Sequence, residues 1–208
     1  MSTTAMNVHR FGKVVTSPDI LGIAEVDEVP VPDELAEKLE GAIRDGDPQQ
    51  LAVLLGQVPE GARVSQSPTK KGESLLHLAA EWGYAKCCKA LLEEGKIPVD
   101  LPLRDKTQAI HHAASYAHEA AISYLVESGA DVEAKNVHGE TPLHLCSKAK
   151  EQSRGELYST CIARLIELKA NMESKDNQEL TPLLKAAQAG QLNVVKTLLR
   201  LKAYALSL

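Results

Sequence analysis

The segment Thr141-Pro142-Leu143-His144-Leu145 recurs, in altered form, at three other places in this 208-residue chain. A Thr hydroxyl can cap free backbone donors at a helix start, and Pro at the first helical position has its φ preset and no donor to lose. A helix is therefore expected to start here. Ser74-Leu75-Leu76-His77-Leu78-Ala79-Ala80, Gln108-Ala109-Ile110-His111-His112-Ala113-Ala114 and Thr181-Pro182-Leu183-Leu184-Lys185-Ala186-Ala187 fill the same slots. The histidine slot falls at 77, 111, 144 and 184, in steps of 34, 33 and 40 residues. That is a repeat of about 33 with one insertion of about seven, and it prescribes short units that bury their apolar faces on their neighbours.

Other pieces keep the same phase: Ala80-Glu81-Trp82-Gly83, Ser128-Gly129-Ala130-Asp131-Val132, Lys169-Ala170-Asn171-Met172 and Ala187-Gln188-Ala189-Gly190. Together they resemble the ankyrin repeat, which runs Thr-Pro-Leu-His-x-Ala-Ala, a Gly, an apolar helix, then Gly-Ala-Asp-hydrophobic. The resemblance implies a mainly α solenoid of helix-turn-helix units with short β-hairpin-like turns. Residues 1–31 read as an extended or disordered tail and 32–208 as the ankyrin-repeat domain. That domain comprises a degenerate first unit at 32–56 and repeats at about 69–102, 103–135, 136–175 and 176–208, the third carrying an insertion at 148–158.

In the first unit Asp33 is placed to cap a helix with Leu35, Leu39, Ala42 and Ile43 on one face, and Asp47-Pro48 to start another with Leu51, Leu54 and Leu55. Glu37, Lys38, Glu40, Arg44 and Gln49 would form the polar outer face of a terminal cap. Apolar sets at helical spacing follow: Leu75, Leu78 and Ala79; Cys88, Leu91 and Leu92; Ala121, Ile122, Leu125 and Val126; Val194, Val195, Leu198 and Leu199. Gly129 suits a left-handed helix cap. The insertion separates two helices, the second resuming near Ser159, and is either a binding loop or a solvated lengthening of the pair.

Composition narrows the function. Aromatics are 3% of residues, so the buried seam must be aliphatic. Net charge is −5 with no long Lys/Arg block, which argues against nucleic acid. No apolar run approaches the roughly 20 residues that span a bilayer. Cys87, Cys88, Cys146 and Cys161 lack paired metal-site spacing, and all but Cys146, which replaces an Ala, fall where the repeat wants core apolar residues. They imply a reducing compartment, the cytoplasm or also the nucleus. Residues 1–15 lack acids and carry Arg10 and Lys13; a mobile tail is expected, with a mitochondrial presequence as the alternative. Ser17-Pro18 and Ser67-Pro68-Thr69-Lys70 match proline-directed kinase patterns, against plain turns and chance.

No hydrolase elbow, phosphate loop or dinucleotide fingerprint is present, so catalysis and cofactors are not expected. His77, His111 and His144 occupy one repeat slot, where the resemblance implies a buried ring bonded to neighbouring backbone. No metal site is expected, and His112 and His118 are left without a role. Function then rests on surface. In ankyrin proteins the turn tips and the two residues after Ala-Ala line a variable groove. Carried over by slot, these are Lys70, Lys71 and Glu73; Arg104, Asp105 and Thr107; Val137, His138 and Glu140; Asn177, Gln178 and Leu180; then Glu81 and Trp82, Ser115 and Tyr116, Ser147 and Lys148, Gln188 and Ala189. The single Trp and one of five Tyr share a slot in adjacent repeats, an aromatic patch with a basic rim at Lys70, Lys71 and Arg104. The competing reading packs both rings onto neighbouring helices.

The expectation is a non-enzymatic module that binds another protein: a scaffold, an adaptor or a stoichiometric inhibitor. The alternative is a regulatory or targeting part of a longer enzyme or channel subunit, because the C-terminal repeat lacks an obvious polar cap. Self-association through that uncapped repeat is a further way to cover it.

Overall fold

The computed structural model describes residues 30–60, 62, 64, 73–148 and 154–205, the side chains of 204 and 205 excepted. The expected tail up to 29, Ser17, Ser67, Lys70, Lys71 and the middle of the insertion lie outside them. Among the described residues there are ten helices: α1 (Asp33–Arg44), α2 (Pro48–Leu55), α3 (Leu75–Glu81), α4 (Ala85–Glu93), α5 (Ala109–Ser115), α6 (Glu119–Glu127), α7 (Pro142–Ser147), α8 (Gly155–Glu167), α9 (Pro182–Gln188) and α10 (Leu192–Ala205). The odd-numbered helices stack on one another and the even-numbered ones stack behind them, each also packing on its hairpin partner. The result is the two-layered helical solenoid the repeat period calls for.

Local chemistry starts the helices. Asp47 Oδ1 accepts the N–H groups of Gln49 and Gln50, both at 3.0 Å, with Pro48 at the first helical position. Thr141 and His144 form a reciprocal cap at the start of α7, and Pro142 follows the cap as expected. At α1 the cap is Pro32 rather than Asp33, which lies in the first helical turn beside Glu34, where acids favour the positive end of the dipole. Gly129 has φ +100° after α6.

The core is aliphatic. Leu39, Ile43, Leu51, Leu75, Leu76, Leu91, Ile110, Ile122, Leu125, Leu143, Ile162 and Leu165 are its largest fully buried side chains. All four cysteines are buried and unpaired. Three further expectations are corrected. Glu40, assigned to the polar face, is buried and bonded to Arg44, so only its partner meets solvent. Leu199, assigned to the core, is 51% exposed, whereas Val194 and Leu198 on the same helix are buried. The second helix after the insertion begins at Gly155, not near Ser159. Tyr158 is thereby core: its side chain is buried and its hydroxyl donates to the Ser115 carbonyl at 3.0 Å.

The turns between helix pairs close as hairpins by backbone bonding. Leu103 N–H donates to Thr107 O (2.8 Å), Asn136 N–H to Glu140 O (3.1 Å) and Asp176 N–H to Leu180 O (3.0 Å). Their tips are tied to each other: Val137 N–H reaches Asp105 O at 2.8 Å and Asn177 N–H reaches His138 O at 3.0 Å. These bonds present the tip side chains from a fixed ladder.

Candidate functional site

A column of histidines registers each inner helix on the next hairpin. His77 Nε2 lies 3.2 Å from Thr107 O, His111 Nε2 3.0 Å from Ala134 O and 3.3 Å from Glu140 O, and His144 Nε2 3.0 Å from Leu180 O. A carbonyl oxygen only accepts, so Nε2 carries the proton in each ring and Nδ1 is left to accept. It does so from the Ser74 hydroxyl (2.7 Å), the Gln108 N–H (3.2 Å), and the Thr141 N–H (3.2 Å) and hydroxyl (2.9 Å). Burial holds all three rings neutral, and with the neighbouring His112 it lowers His77 to about 4.

With the inner helices fixed in this way, their C-terminal residues emerge on one face beside the turn tips. Trp82 follows α3 and Tyr116 follows α5 in the same slot, and they are 50% and 41% exposed. Neither ring packs down into the core. The Tyr116 hydroxyl donates to Glu81 Oε1 at 3.4 Å, and its ring stacks on His118 with centroids 6.3 Å apart. His118, which sequence reasoning left unassigned, donates from Nε2 to the Glu81 carbonyl at 2.9 Å, so it pins the tyrosine's support to the preceding helix. Arg104, Asp105, His138 and Lys148 are exposed, while Glu73, Glu81 and Ser115 are half-buried. Asp105 uses one carboxylate oxygen on the Thr107 N–H at 3.0 Å, which shapes its tip.

Three residues expected on this face are turned inward: Ser147 is fully buried, its hydroxyl donating to the Leu143 carbonyl at 2.7 Å, and two turn residues are nearly so. Thr107 is 8% exposed and Glu140 3%. Glu140 is the centre of an ion cluster: Lys148 Nζ stands 2.8 and 2.7 Å from its two oxygens, Lys185 Nζ 3.1 Å from Oε1, and Asn136 Nδ2 donates to Oε2 at 3.2 Å. Lys185 also bridges to Asp176 Oδ2 at 2.7 Å, while Asp176 Oδ1 accepts the N–H groups of Gln178 and Leu180. Burial pushes both acids up, but the lysine and amide bonds outweigh it and hold both below the ordinary carboxylate range. His138, Lys148, Asn177, Gln178 and Lys185 surround an open polar cavity of about 340 Å³ over this cluster. The repeat slots had put His138, Lys148, Asn177 and Gln178 among the surface positions, but not Lys185. That Glu140 would be consumed by two lysines was not visible, because Lys185 approaches it from the next inner helix.

The remainder of the insertion does not stand free. The Arg154 guanidinium donates to the Tyr116 carbonyl at 3.1 Å, which with the Tyr158–Ser115 bond ties the start of α8 to the end of α5, next to the aromatic pair.

Comparison with known proteins agrees with this architecture. The family model described as "Ankyrin repeats (3 copies)" matches residues 39–136, 97–156 and 133–206. Human ankyrin repeat domain-containing protein 53 is 39% identical over 83 residues, 38% of this chain and 16% of that protein. Human SH3 and multiple ankyrin repeat domains protein 2 is 30% identical over 122 residues, 59% of this chain and 6% of that protein. A Caenorhabditis elegans homologue of transient receptor potential cation channel subfamily A member 1 is 32% identical over 136 residues, 65% of this chain and 10% of that protein. The chain thus spans a sixth or less of the length of these relatives. Among the described residues no helix is long and apolar enough to cross a membrane. Ankyrin repeats bind other proteins and are generally non-catalytic, and it is to the ankyrin-repeat family that this chain belongs.

Proposed function

We propose that this chain binds another protein through the face made by Trp82, Tyr116 and the turn tips, acting as a scaffold, adaptor or stoichiometric inhibitor without catalysis of its own. The observation that carries this reading is the exposure of the two rings in one slot of adjacent inner helices. A chain with 3% aromatics leaves about half of Trp82 and two fifths of Tyr116 open to solvent. Large, stiff aromatics release much area on contact with few rotamers to freeze. Arg104 and Lys148 supply a positive rim, Asp105 and Glu81 a negative one, which fits a peptide or loop of mixed charge with apolar anchors. The four buried thiols support a reducing compartment, the cytoplasm or also the nucleus.

The test is a pull-down from cell lysate with the wild-type chain beside Trp82→Ala/Tyr116→Ala and the outer-layer control Lys86→Ala, followed by affinity measurement on the proteins recovered. Partners held by wild type and control, and weakened by at least about 1 kcal/mol per ring in the double variant, support the face. Equal affinity for all three removes it.

A second reading, a regulatory or targeting part of a longer enzyme or channel, draws on relatives such as the channel homologue and the Drosophila melanogaster tyrosine-protein kinase Shark, 29% identical over 131 residues. A reading frame running past Leu208 into a catalytic or membrane segment establishes it; a stop codon there removes it. Self-association draws on exposed Leu184, Leu192 and Leu199 in the last helix pair. A sedimentation profile independent of concentration would eliminate it.

A further inference from the structure

Three repeat slots meet at two of the junctions between inner helices. They are the residue before the helix cap, the fourth residue after the histidine slot, and the residue after the histidine slot of the following inner helix. Between α7 and α9 these are Glu140, Lys148 and Lys185, and both ammonium groups stand within 3.1 Å of the one carboxylate. Between α5 and α7 they are Thr107, Ser115 and Leu145, with no charge. Between α3 and α5 they are Glu73, Glu81 and His112, and one ligand atom from each lies within 4.8 Å of the other two. The same three positions therefore hold an acid with two cations at one junction, and two acids with an imidazole at another.

We propose that Glu73, Glu81 and His112 bind a divalent transition-metal ion of the zinc class, at the point that ammonium groups occupy between α7 and α9. One imidazole nitrogen and two carboxylate oxygens form a mixed donor set that suits zinc better than magnesium or calcium, and the two carboxylates neutralise a dication. His112 Nδ1 faces Glu81 Oε2 at 4.0 Å. Ligands about 2 Å from a tetrahedral ion stand about 3.3 Å apart, so the ligand atoms, now up to 4.8 Å apart, need to approach by at most about 1.5 Å to close the site. Its supports are in place. Tyr116 holds the other oxygen of Glu81 through its hydroxyl, and His77 meets the His112 ring edge-on with centroids 5.3 Å apart. His77 and His111 face His112 as neutral imidazoles, and Asp105 interacts with it electrostatically as a carboxylate that favours a bound cation. Three protein ligands would leave the fourth position of a tetrahedral ion to water. No short motif announces such a set, because its members stand at 73, 81 and 112.

The inference is independent of partner binding, since it is tested on the chain alone. The chelator-treated full chain is titrated calorimetrically with zinc chloride at neutral pH, alongside Glu81→Gln, His112→Ala and the control His138→Ala, with circular dichroism on each. Cobalt(II) absorption then identifies the ligands. One zinc per chain, unchanged in the control and weakened at least tenfold in both site variants, with a cobalt spectrum free of thiolate charge transfer, supports the site. No uptake by the wild type, which is what a cluster closed by protons or ammonium groups would show, overturns it. So does equal uptake by folded Glu81→Gln, or a thiolate band that moves the ion to the cysteines.

Discussion

His77 and Thr107, thirty positions apart in the chain, meet where the imidazole Nε2–H donates to the threonine carbonyl at 3.2 Å. The bond requires a neutral ring with Nδ1 unprotonated, and the same holds for His111 and His144 one and two units along. Stacking of the solenoid is thereby linked to imidazole titration.

Stability should fall as the solution is acidified from neutrality. An unfolded imidazole titrates near 6.5, whereas the folded His77 does so at about 4. Above pH 6.5 both states are neutral and the contribution is whole; between 6.5 and 4 only the unfolded chain takes the proton, and below 4 the contribution is gone. For His77 alone the loss at pH 5 should be about 2 kcal/mol, and His111 and His144, lowered in the same direction, add to it. Urea midpoints at pH 7.5 and pH 5 measure this. Equal midpoints would show that the column does not carry the stacking.

The acid cluster works in a different window and through a different residue. Lys185 serves two nearly buried carboxylates, Asp176 and Glu140, and its own side chain is 14% exposed. Lys185→Met strands Asp176 without a cation while Glu140 keeps Lys148, so a loss of about 3 kcal/mol is expected at pH 7. Lys148→Met removes a half-exposed ammonium and should cost clearly less. Combining Lys185→Met with Asp176→Asn should recover part of the loss. Because both acids are held below their ordinary pKa, their contribution is complete above the usual carboxylate range and disappears only as pH falls through the depressed values. Denaturation of the three variants at pH 7 decides the point: a Lys185→Met cost no larger than that of Lys148→Met contradicts it.

What could be read from the chain beforehand was what neighbours in sequence decide. Asp47-Pro48 and Thr141-Pro142 start helices through bonds spanning two or three residues, so those two helix starts were legible, whereas the starts of α1 and α8 were not. The histidine column was legible through its period. Glu40 was misplaced because an acid in an amphipathic helix reads as exposed, while its burial depends on Arg44 covering it. The fate of Glu140, the pairing of Tyr158 with Ser115 across 43 positions, and the meeting of Glu73, Glu81 and His112 arise between units, where no local pattern records which side chain a neighbour brings.

Gly83 and Gly129 separate two demands on a glycine that sequence treats alike. Both have positive φ, +75° and +100°. A Cβ on Gly129 meets nothing within 4 Å, so Gly129→Ala should cost only the left-handed backbone penalty of about 1 kcal/mol. A Cβ on Gly83 would stand 2.3 Å from His118 Nδ1, on a ring pinned by its other nitrogen to the Glu81 carbonyl. Ala117 occupies the slot of Gly83 in the next helix pair at φ 59°, so backbone strain alone does not demand glycine there. Gly83→Ala should therefore cost about 2–3 kcal/mol, because the ring must leave its carbonyl or the helix ends must part. With His118→Ala already in place, the added cost of Gly83→Ala should shrink to that of Gly129→Ala. A double-mutant cycle in urea reads the coupling directly, and strict additivity would show that the glycine serves the turn and not the histidine.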